Sequence, residues 1–479
     1  MDTLRTLFLN PPSVEGFDGG AGSRYQARRE VRSFWYPTWL AQAAALVPNG
    51  KLIDAPADGI ALSEVVLMAK GFDLCILHTS TPSFAGDAAV AARLKEEYPR
   101  MKIGLVGAHV AVLPEESLRA APSADFVARE EFDFTLREIA QGLPLPEVEG
   151  ISYRENGSVR HNRDRTPISD MDALPDVLDV YKRDLTVENY AIGYLLHPYV
   201  SLYTGRGCPA RCTFCLWPQT VGGHVYRTRS PRKVLEDMAK AGSLFPQAKE
   251  FFFDDDTFTA DLPRALEIAK GLGKLGVTWS CNSRANVPAE AIRAFKDNGL
   301  RLFLVGYESG DQKILNNIKK GVRLDIARRF TRDCREAGVK IHGTFILGLP
   351  GETRHTVEET IRFACELDVD TIQVSLAAPY PGTELHRQAS HNGWLARPEP
   401  GALLRPDGTQ DSTLGYPDLP APEIARALKH MYARFYFRPR PMARMLAAMA
   451  RDPAQRLRRM REGAEFLRFL FARPEAAAV

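Results

Sequence analysis

The 479-residue sequence lacks any apolar run approaching the ~18 residues that a membrane span requires. Its first ten residues hold too few apolar side chains before Pro11-Pro12 to form the core of a secretory signal. It also lacks a charge excess. The 62 Lys and Arg against 59 Asp and Glu leave a net charge of +3, which gives no reason to expect a nucleic-acid partner. The seven cysteines are odd in number and mostly scattered, which speaks against a disulfide framework and for a reducing compartment. No G-x-G-x-x-G follows any strand-like run, so a dinucleotide is disfavoured. The location expected from these absences is cytoplasmic.

What is present is ordinary for a globular protein: 45% hydrophobic and 25% charged residues, with 36 Gly and 33 Pro for many short connections. The length suits about three domains. From Thr3 to about Gly142, buried strand-like runs (Leu4–Leu9, Lys51–Asp54, Leu74–Leu77, Lys102–Val106, Phe126–Val127) alternate with helix-like stretches. This pattern predicts an α/β fold with a doubly wound, Rossmann-like parallel sheet over residues 1–148. Ligands of such sheets bind beyond the carboxyl ends of the strands. Thr79, Ser80, Gly107 and His109 lie at those ends and are candidate ligand contacts. A hairpin around Asn156-Gly157, followed by a Pro- and Asp-rich stretch that reads as a linker, is expected over 149–193. Six strand-plus-helix units between 194 and about 390 then predict a partial (β/α)6 TIM-type barrel, in a domain spanning 194–420, with its chemistry at the carboxyl ends of the strands. A basic amphipathic helical region, 421–479, completes the chain.

Just after the first barrel strand stands Gly205-Arg-Gly-Cys208-Pro-Ala-Arg-Cys212-Thr-Phe-Cys215. Three thiolates on one tight loop can converge on a metal centre. A cubane iron–sulfur cluster prefers four cysteines, so three leave one iron open to an outside ligand. The alternative is a structural zinc site, which needs a fourth ligand and has His224 as its nearest candidate.

C-x3-C-x2-C at this place, with Phe214 before the last cysteine, resembles the radical S-adenosylmethionine (SAM) superfamily signature. The upstream sheet looks like the cobalamin-binding domain that often precedes such barrels. The resemblance implies a [4Fe-4S] cluster on Cys208, Cys212 and Cys215, with SAM chelating the open iron. It implies SAM contacts for Phe214, for Asp254, Asp255 and Asp256 at the second strand end, and for Ser283 and Arg284 at the third. Glu308 at the fourth, and Ile346 and Gly348 at the fifth, complete that set. Carboxylates suit the SAM ammonium and an arginine its carboxylate, by charge-assisted hydrogen bonds. The resemblance also implies cobalamin near Thr79, Ser80, Gly107 and His109, although the D-x-H-x-x-G loop of many cobalamin carriers is missing. Cys281, near a barrel strand end, is a candidate hydrogen-atom donor, against the plainer reading of a buried small hydrophobe. Cys75, Cys334 and Cys365 read as core.

More narrowly, the string Leu7-Phe-Leu-Asn-Pro-Pro-Ser13 and the Gly- and Arg-rich loop after it are similar to hopanoid-biosynthesis-associated radical SAM proteins. That likeness implies a hopanoid lipid substrate and ring contraction of glucosaminyl bacteriohopanetetrol to its cyclitol ether, through a 5′-deoxyadenosyl radical. One alternative is a cobalamin-dependent radical SAM methyltransferase acting on a lipid or natural product, and another is a non-catalytic iron–sulfur or cobalamin sensor. The class implies an electron donor such as flavodoxin or ferredoxin. From Ala421 to Glu475 there are 13 Lys and Arg against 5 Asp and Glu, on helical stripes that include Met442, Met445, Leu446 and Met449. Such helices can lie on anionic lipid, which would put the protein peripherally at the inner membrane face, or they pack across the barrel opening and merely expose arginines; Phe34, Trp35, Tyr36 and Trp39 are the next candidates for membrane contact if the tail makes none.

Overall fold

A computed structural model describes residues 3–12, 35–397, 400–405, 410–451, 460–461, 463–464 and 466–470. The Gly- and Arg-rich loop at 13–34, including Phe34, lies outside them.

The N-terminal unit is built on a seven-stranded sheet. Its strands are β1 (Thr6–Asn10), β2 (Lys51–Asp54), β3 (Leu74–His78), β4 (Lys102–Val106), β5 (Phe126–Ala128), β6 (Ile151–Glu155) and β7 (Ser158–His161). The order is β2-β1-β3-β4-β5-β6-β7, parallel from β2 to β5. Chain direction reverses its walk between β1 and β3, the switch point where such sheets bind ligands. The parallel strands are apolar through their middles because helices cover both faces. The expected Asn156-Gly157 hairpin extends this sheet, since β6 pairs antiparallel with β5. Asn156 (φ 48) and Gly157 (φ 79) supply the left-handed turn that a two-residue loop requires.

The second unit is a six-stranded parallel half-barrel of β8 (Tyr199–Leu202), β11 (Glu250–Phe253), β12 (Trp279–Ser283), β13 (Leu300–Glu308), β14 (Lys340–Leu347) and β15 (Thr371–Leu376). These run in spatial order β15-β14-β13-β12-β11-β8. Two short strands, β9 (Gly205–Arg206) and β10 (Arg227–Thr228), pair antiparallel beside the cysteine loop. Alternate residues face the helix layer, where Trp279, Phe295, Phe303 and Phe330 form a chain of ring contacts.

The two units share one hydrophobic core. Tyr36 stacks on Tyr190 with ring centroids 4.0 Å apart and donates to the Tyr199 carbonyl at 2.6 Å. Tyr36 and Trp39 are therefore buried, at 5% and 7% exposure, which removes both from the expected membrane contact. The C-terminal region divides. The helix Ala421–Tyr436 buries Ile424, Leu428, Met431 and Phe435 against β15 and its neighbouring helix, whereas Pro439–Arg451 presents Met442, Met445 and Leu446 to solvent. Among the described residues no helix is long and apolar enough to cross a membrane.

Candidate active site

The site begins where β9 ends. Gly207 takes φ 87, and a Cβ there would lie 2.3 Å from the Val225 carbonyl, so glycine is what lets the chain turn into the cysteine loop. Cys208 N–H donates to the Gly223 carbonyl (3.2 Å) and Thr213 N–H to the Ile318 carbonyl (3.1 Å), fixing the loop at two points. Gln219, on the short helix Leu216–Thr220, shares its amide between the carbonyls of Cys212 (3.2 Å), Thr213 (3.1 Å) and Cys215 (2.8 Å). Its own oxygen accepts from Glu384 N–H at 2.8 Å. Gln219 carries no motif, and sequence reasoning missed it.

All seven cysteines are free thiols. Cys208 and Cys212 are buried and Cys215 is half-buried, close enough to one another for their charges to interact. Burial pushes the Cys212 thiol up, and burial with the nearby Asp256 carboxylate pushes Cys215 up further, an arrangement that bound iron cations would reverse. Among the described residues no three His, Cys, Asp or Glu side chains close around a single metal ion. His224 Nδ1–H donates to the Ala210 carbonyl at 3.0 Å, and among the described residues His224 closes no metal-ligand group with the thiols, so the zinc alternative gains no support. Three thiols on one loop fit one face of a cubane cluster.

Polar groups surround this trio. Thr257 Oγ1 lies 3.6 Å from Cys208 Sγ, and the Asp256 carboxylate stands near both Cys215 and Gly222. Arg284 donates to the Lys320 carbonyl. Lys320, a second residue the sequence did not flag, places Nζ 2.7 Å from Glu308 Oε1. Burial alone would lower the Lys320 ammonium, but the Glu308 carboxylate holds it above the ordinary lysine value. Ser283 shares a hydrogen bond with Thr259 at 2.9 Å. Asp254 accepts from Asn282 (3.0 Å) and Tyr203 (3.3 Å) on the inner face of the barrel. Phe214 and Ile346 both pack on a small cluster with Ile314, Leu349 and Leu385.

Other expected contacts are placed differently. Asp255 is fully buried, accepting from Thr204 N–H and Oγ1 (both 2.6 Å) and Tyr226 (2.7 Å), so its oxygens are already engaged in the fold. Burial raises its carboxyl above the ordinary aspartate value against the pull of nearby Arg264 and these hydrogen bonds. Gly348 is covered by Tyr416, which donates to its carbonyl at 2.8 Å, and by Ile424, 3.0 Å from where a Cβ would sit. Its N–H goes to Glu352 (2.6 Å), so this glycine serves the turn and not a flat ligand. Cys281 is fully buried in register with Phe253 and Phe303, on the helix-facing side of β12. It cannot reach a substrate in the barrel interior, and the hydrogen-donor reading is corrected to a core residue. Cys365, expected in the core, is half-buried instead.

At the N-terminal sheet, Thr79 Oγ1 donates to the Val106 carbonyl (2.9 Å), and a Cβ on Gly107 would lie 2.2 Å from the Thr79 carbonyl oxygen. Those two residues close the strand ends onto each other. Ser80, Thr81 and His109 form a buried polar row beside them, with His109 Nδ1 3.3 Å from Thr81 Oγ1. His78 Nε2 is buried with no hydrogen-bond partner, and burial lowers both imidazoles to about 4. A neutral imidazole with an unused nitrogen among small hydroxyl residues fits, in kind, the edge of a large polar cofactor. The helix Ala108–Val112 that starts there packs on the helix Leu216–Thr220 that follows the cysteines.

A parallel half-barrel with three thiols at the end of its first strand defines a class of enzymes that open SAM by one-electron reduction. A family model described as the radical SAM superfamily matches residues 202–364. An uncharacterized methyltransferase of Pyrococcus horikoshii is 31% identical over 460 residues, covering 92% of this chain and 94% of its own. The hopanoid C-3 methylase of Methylococcus capsulatus is 27% identical over 195 residues, 40% of this chain and 36% of that one. Among solved structures, the radical SAM methyltransferase TsrM of Kitasatospora setae, with cobalamin and a [4Fe-4S] cluster bound, superposes with a TM-score of 0.64 at 14% identity. That match covers 83% of this chain and 76% of TsrM, and it shows a shared fold. The chain belongs to the radical SAM superfamily. It is a radical SAM enzyme, and the cofactors of its class are a [4Fe-4S] cluster and SAM.

Proposed function

We propose that the protein is a cobalamin-dependent radical SAM methyltransferase in which Cys208, Cys212 and Cys215 hold the cluster. One observation carries this reading: the methyltransferase relative matches this chain through both units, not only through the barrel. The buried polar row at the β3 and β4 ends, packed through one helix pair against the cysteine loop, supports it by bringing the two candidate cofactor sites together. When bound, the cluster supplies an electron to SAM and cobalamin carries a methyl group.

The chain's own residues bind and orient. Asp256, beside Cys215, suits the SAM ammonium, and the Arg284 guanidinium suits its carboxylate. The Lys320–Glu308 pair keeps Lys320 charged in a buried place beside Cys212. Asp254, held by Asn282 and Tyr203, lines the inner face where a substrate would lie.

The cyclitol-ether reading gains no support from the relatives, whereas its methyltransferase alternative does. A hopanoid or other polycyclic lipid remains the substrate class we favour, on the partial match to a hopanoid methylase and on the helix Pro439–Arg451. That helix carries three arginines and no acidic residue, and Met442, Met445 and Leu446 are 47%, 45% and 66% exposed. Arg444 pairs with Asp368 at 3.0 Å, so what suits peripheral contact with lipid is the exposed apolar face itself, with the excess of basic residues in this part of the sequence. A flavodoxin or ferredoxin supplies the electron. The test is anaerobic turnover of reconstituted protein with SAM, cobalamin, reductant and extracted hopanoids, read by mass spectrometry. Methylated lipid with S-adenosylhomocysteine is expected, and 5′-deoxyadenosine with an unmethylated rearranged product would return the ring-contraction reading.

A further inference from the structure

The cysteine loop starts and ends on one side chain of the N-terminal unit. Trp39 lies on the helix Thr38–Leu46. The Arg206 guanidinium carbon is 4.1 Å from its ring centroid. The Trp217 indole stacks on it, with centroids 5.3 Å apart and planes 4° from parallel. Arg206 stands two residues before Cys208, and Trp217 stands two residues after Cys215. The segment that carries all three thiols therefore has both of its flanks on the same indole.

The upstream flank is gripped further. Arg206 is buried and makes a two-pronged pair with Asp133 (2.6 and 2.9 Å) and a contact with Glu131 (3.3 Å), both from the N-terminal unit. Arg227, on the strand paired with β9, also reaches Glu131, at 2.6 and 2.9 Å. Forked guanidinium–carboxylate pairs fix orientation as well as distance. Downstream, Trp217 shares its short helix with Gln219, whose amide ties the loop carbonyls together. A loop with both ends fixed has less conformational entropy to lose when its thiolates converge on iron.

We propose that Trp39 is a positioning residue for the iron–sulfur centre, and that the N-terminal unit sets the cysteine loop from outside the barrel. The proposal rests on the reading of Cys208, Cys212 and Cys215 as cluster ligands. It needs neither cobalamin nor substrate, so it is tested in their absence.

The experiment compares anaerobically reconstituted wild type with Trp39→Ala, Trp39→Phe and Trp217→Ala. The readouts are the rate of iron release to a chelator, the electron paramagnetic resonance spectrum of the reduced cluster, and thermal melting. Ile76→Ala, a cavity in the middle of β3, controls for destabilisation of the N-terminal unit. Trp39→Ala and Trp217→Ala should each release iron about fivefold faster with a shifted spectrum, as loss of a stacked aromatic and a desolvated cation–π contact implies. Trp39→Phe should stay near wild type. Wild-type release rates in both alanine variants would overturn the proposal, and so would release from Ile76→Ala as fast as from Trp39→Ala. Should Trp39→Ala fail to fold, Trp217→Ala alone decides, because its ring is only half-buried. A wild-type chain that assembles no cluster at all would overturn the cluster reading itself, and the proposal with it.

Discussion

Lys320 Nζ lies 2.7 Å from Glu308 Oε1, in a pair that is 11% and 7% exposed at the side chains and sits beside the cysteine loop. Glu308 holds φ at 65, and a Cβ on Gly306 would fall 2.2 Å from its carboxylate oxygen, so the local backbone is built around this contact. Removing one member of a buried pair strands the other charge. Lys320→Met should therefore destabilise the chain by about 3 kcal/mol in chemical denaturation, and Lys320→Met with Glu308→Gln should recover most of that loss.

Replacing Cys208, Cys212 or Cys215 singly by Ala should abolish the thiolate-to-iron absorption of the reconstituted protein. Cys281→Ala should leave that absorption unchanged and cost only core stability, since Cys281 belongs to the strand–helix layer.

The neighbours Asp255 and Asp256 should separate in function. Asp256→Ala and Arg284→Ala are expected to keep the cluster and weaken SAM binding roughly tenfold each, as loss of one charge-assisted contact implies. Asp255→Asn breaks the Thr204–Tyr226 network and should lower melting temperature instead. Equilibrium dialysis with labelled SAM, alongside melting curves, checks the split.

Glu352 predicts a pH signature. Burial raises its carboxyl to about 8, against the hydrogen bonds from Gly348 and Leu349 N–H. A carboxyl whose folded value exceeds its unfolded value holds its proton better when folded, so its stabilising contribution is full below the unfolded value. That contribution falls as pH rises towards about 8, by at most roughly 1.4 kcal/mol per pH unit. Glu352→Gln mimics the neutral acid. Subtracting the two stability profiles between pH 5 and 8.5 should show the variant gaining on wild type as pH rises, with the common contribution of the buried histidines cancelled.

Met445→Glu with Leu446→Glu alters only exposed positions, at 45% and 66% accessibility, and should leave melting unchanged. If the helix Pro439–Arg451 docks on lipid, the same variant should lose flotation with anionic liposomes and retain SAM cleavage in detergent. Unchanged flotation would assign membrane contact elsewhere.

Sequence alone determined the layered plan. Lys51–Asp54 and Lys102–Val106 are strands with the limits their composition predicts, because strands buried on both faces must be nearly continuous apolar runs. The cysteine spacing was likewise legible, since ligands on one loop are neighbours in the chain. Tertiary structure alone decided which way a residue faces and what meets it across the chain. Cys281 and Gly348 sit at strand ends in the sequence, yet one turns to the helix layer and the other lies under Tyr416 and Ile424. Trp39 and Trp217 are separated by most of the N-terminal unit in sequence, and Arg206 meets Asp133 across 73 positions. Periodicity reports the environment of a side chain averaged over its own element. It carries no record of a partner on another element, and that is where the supports of this cysteine loop lie.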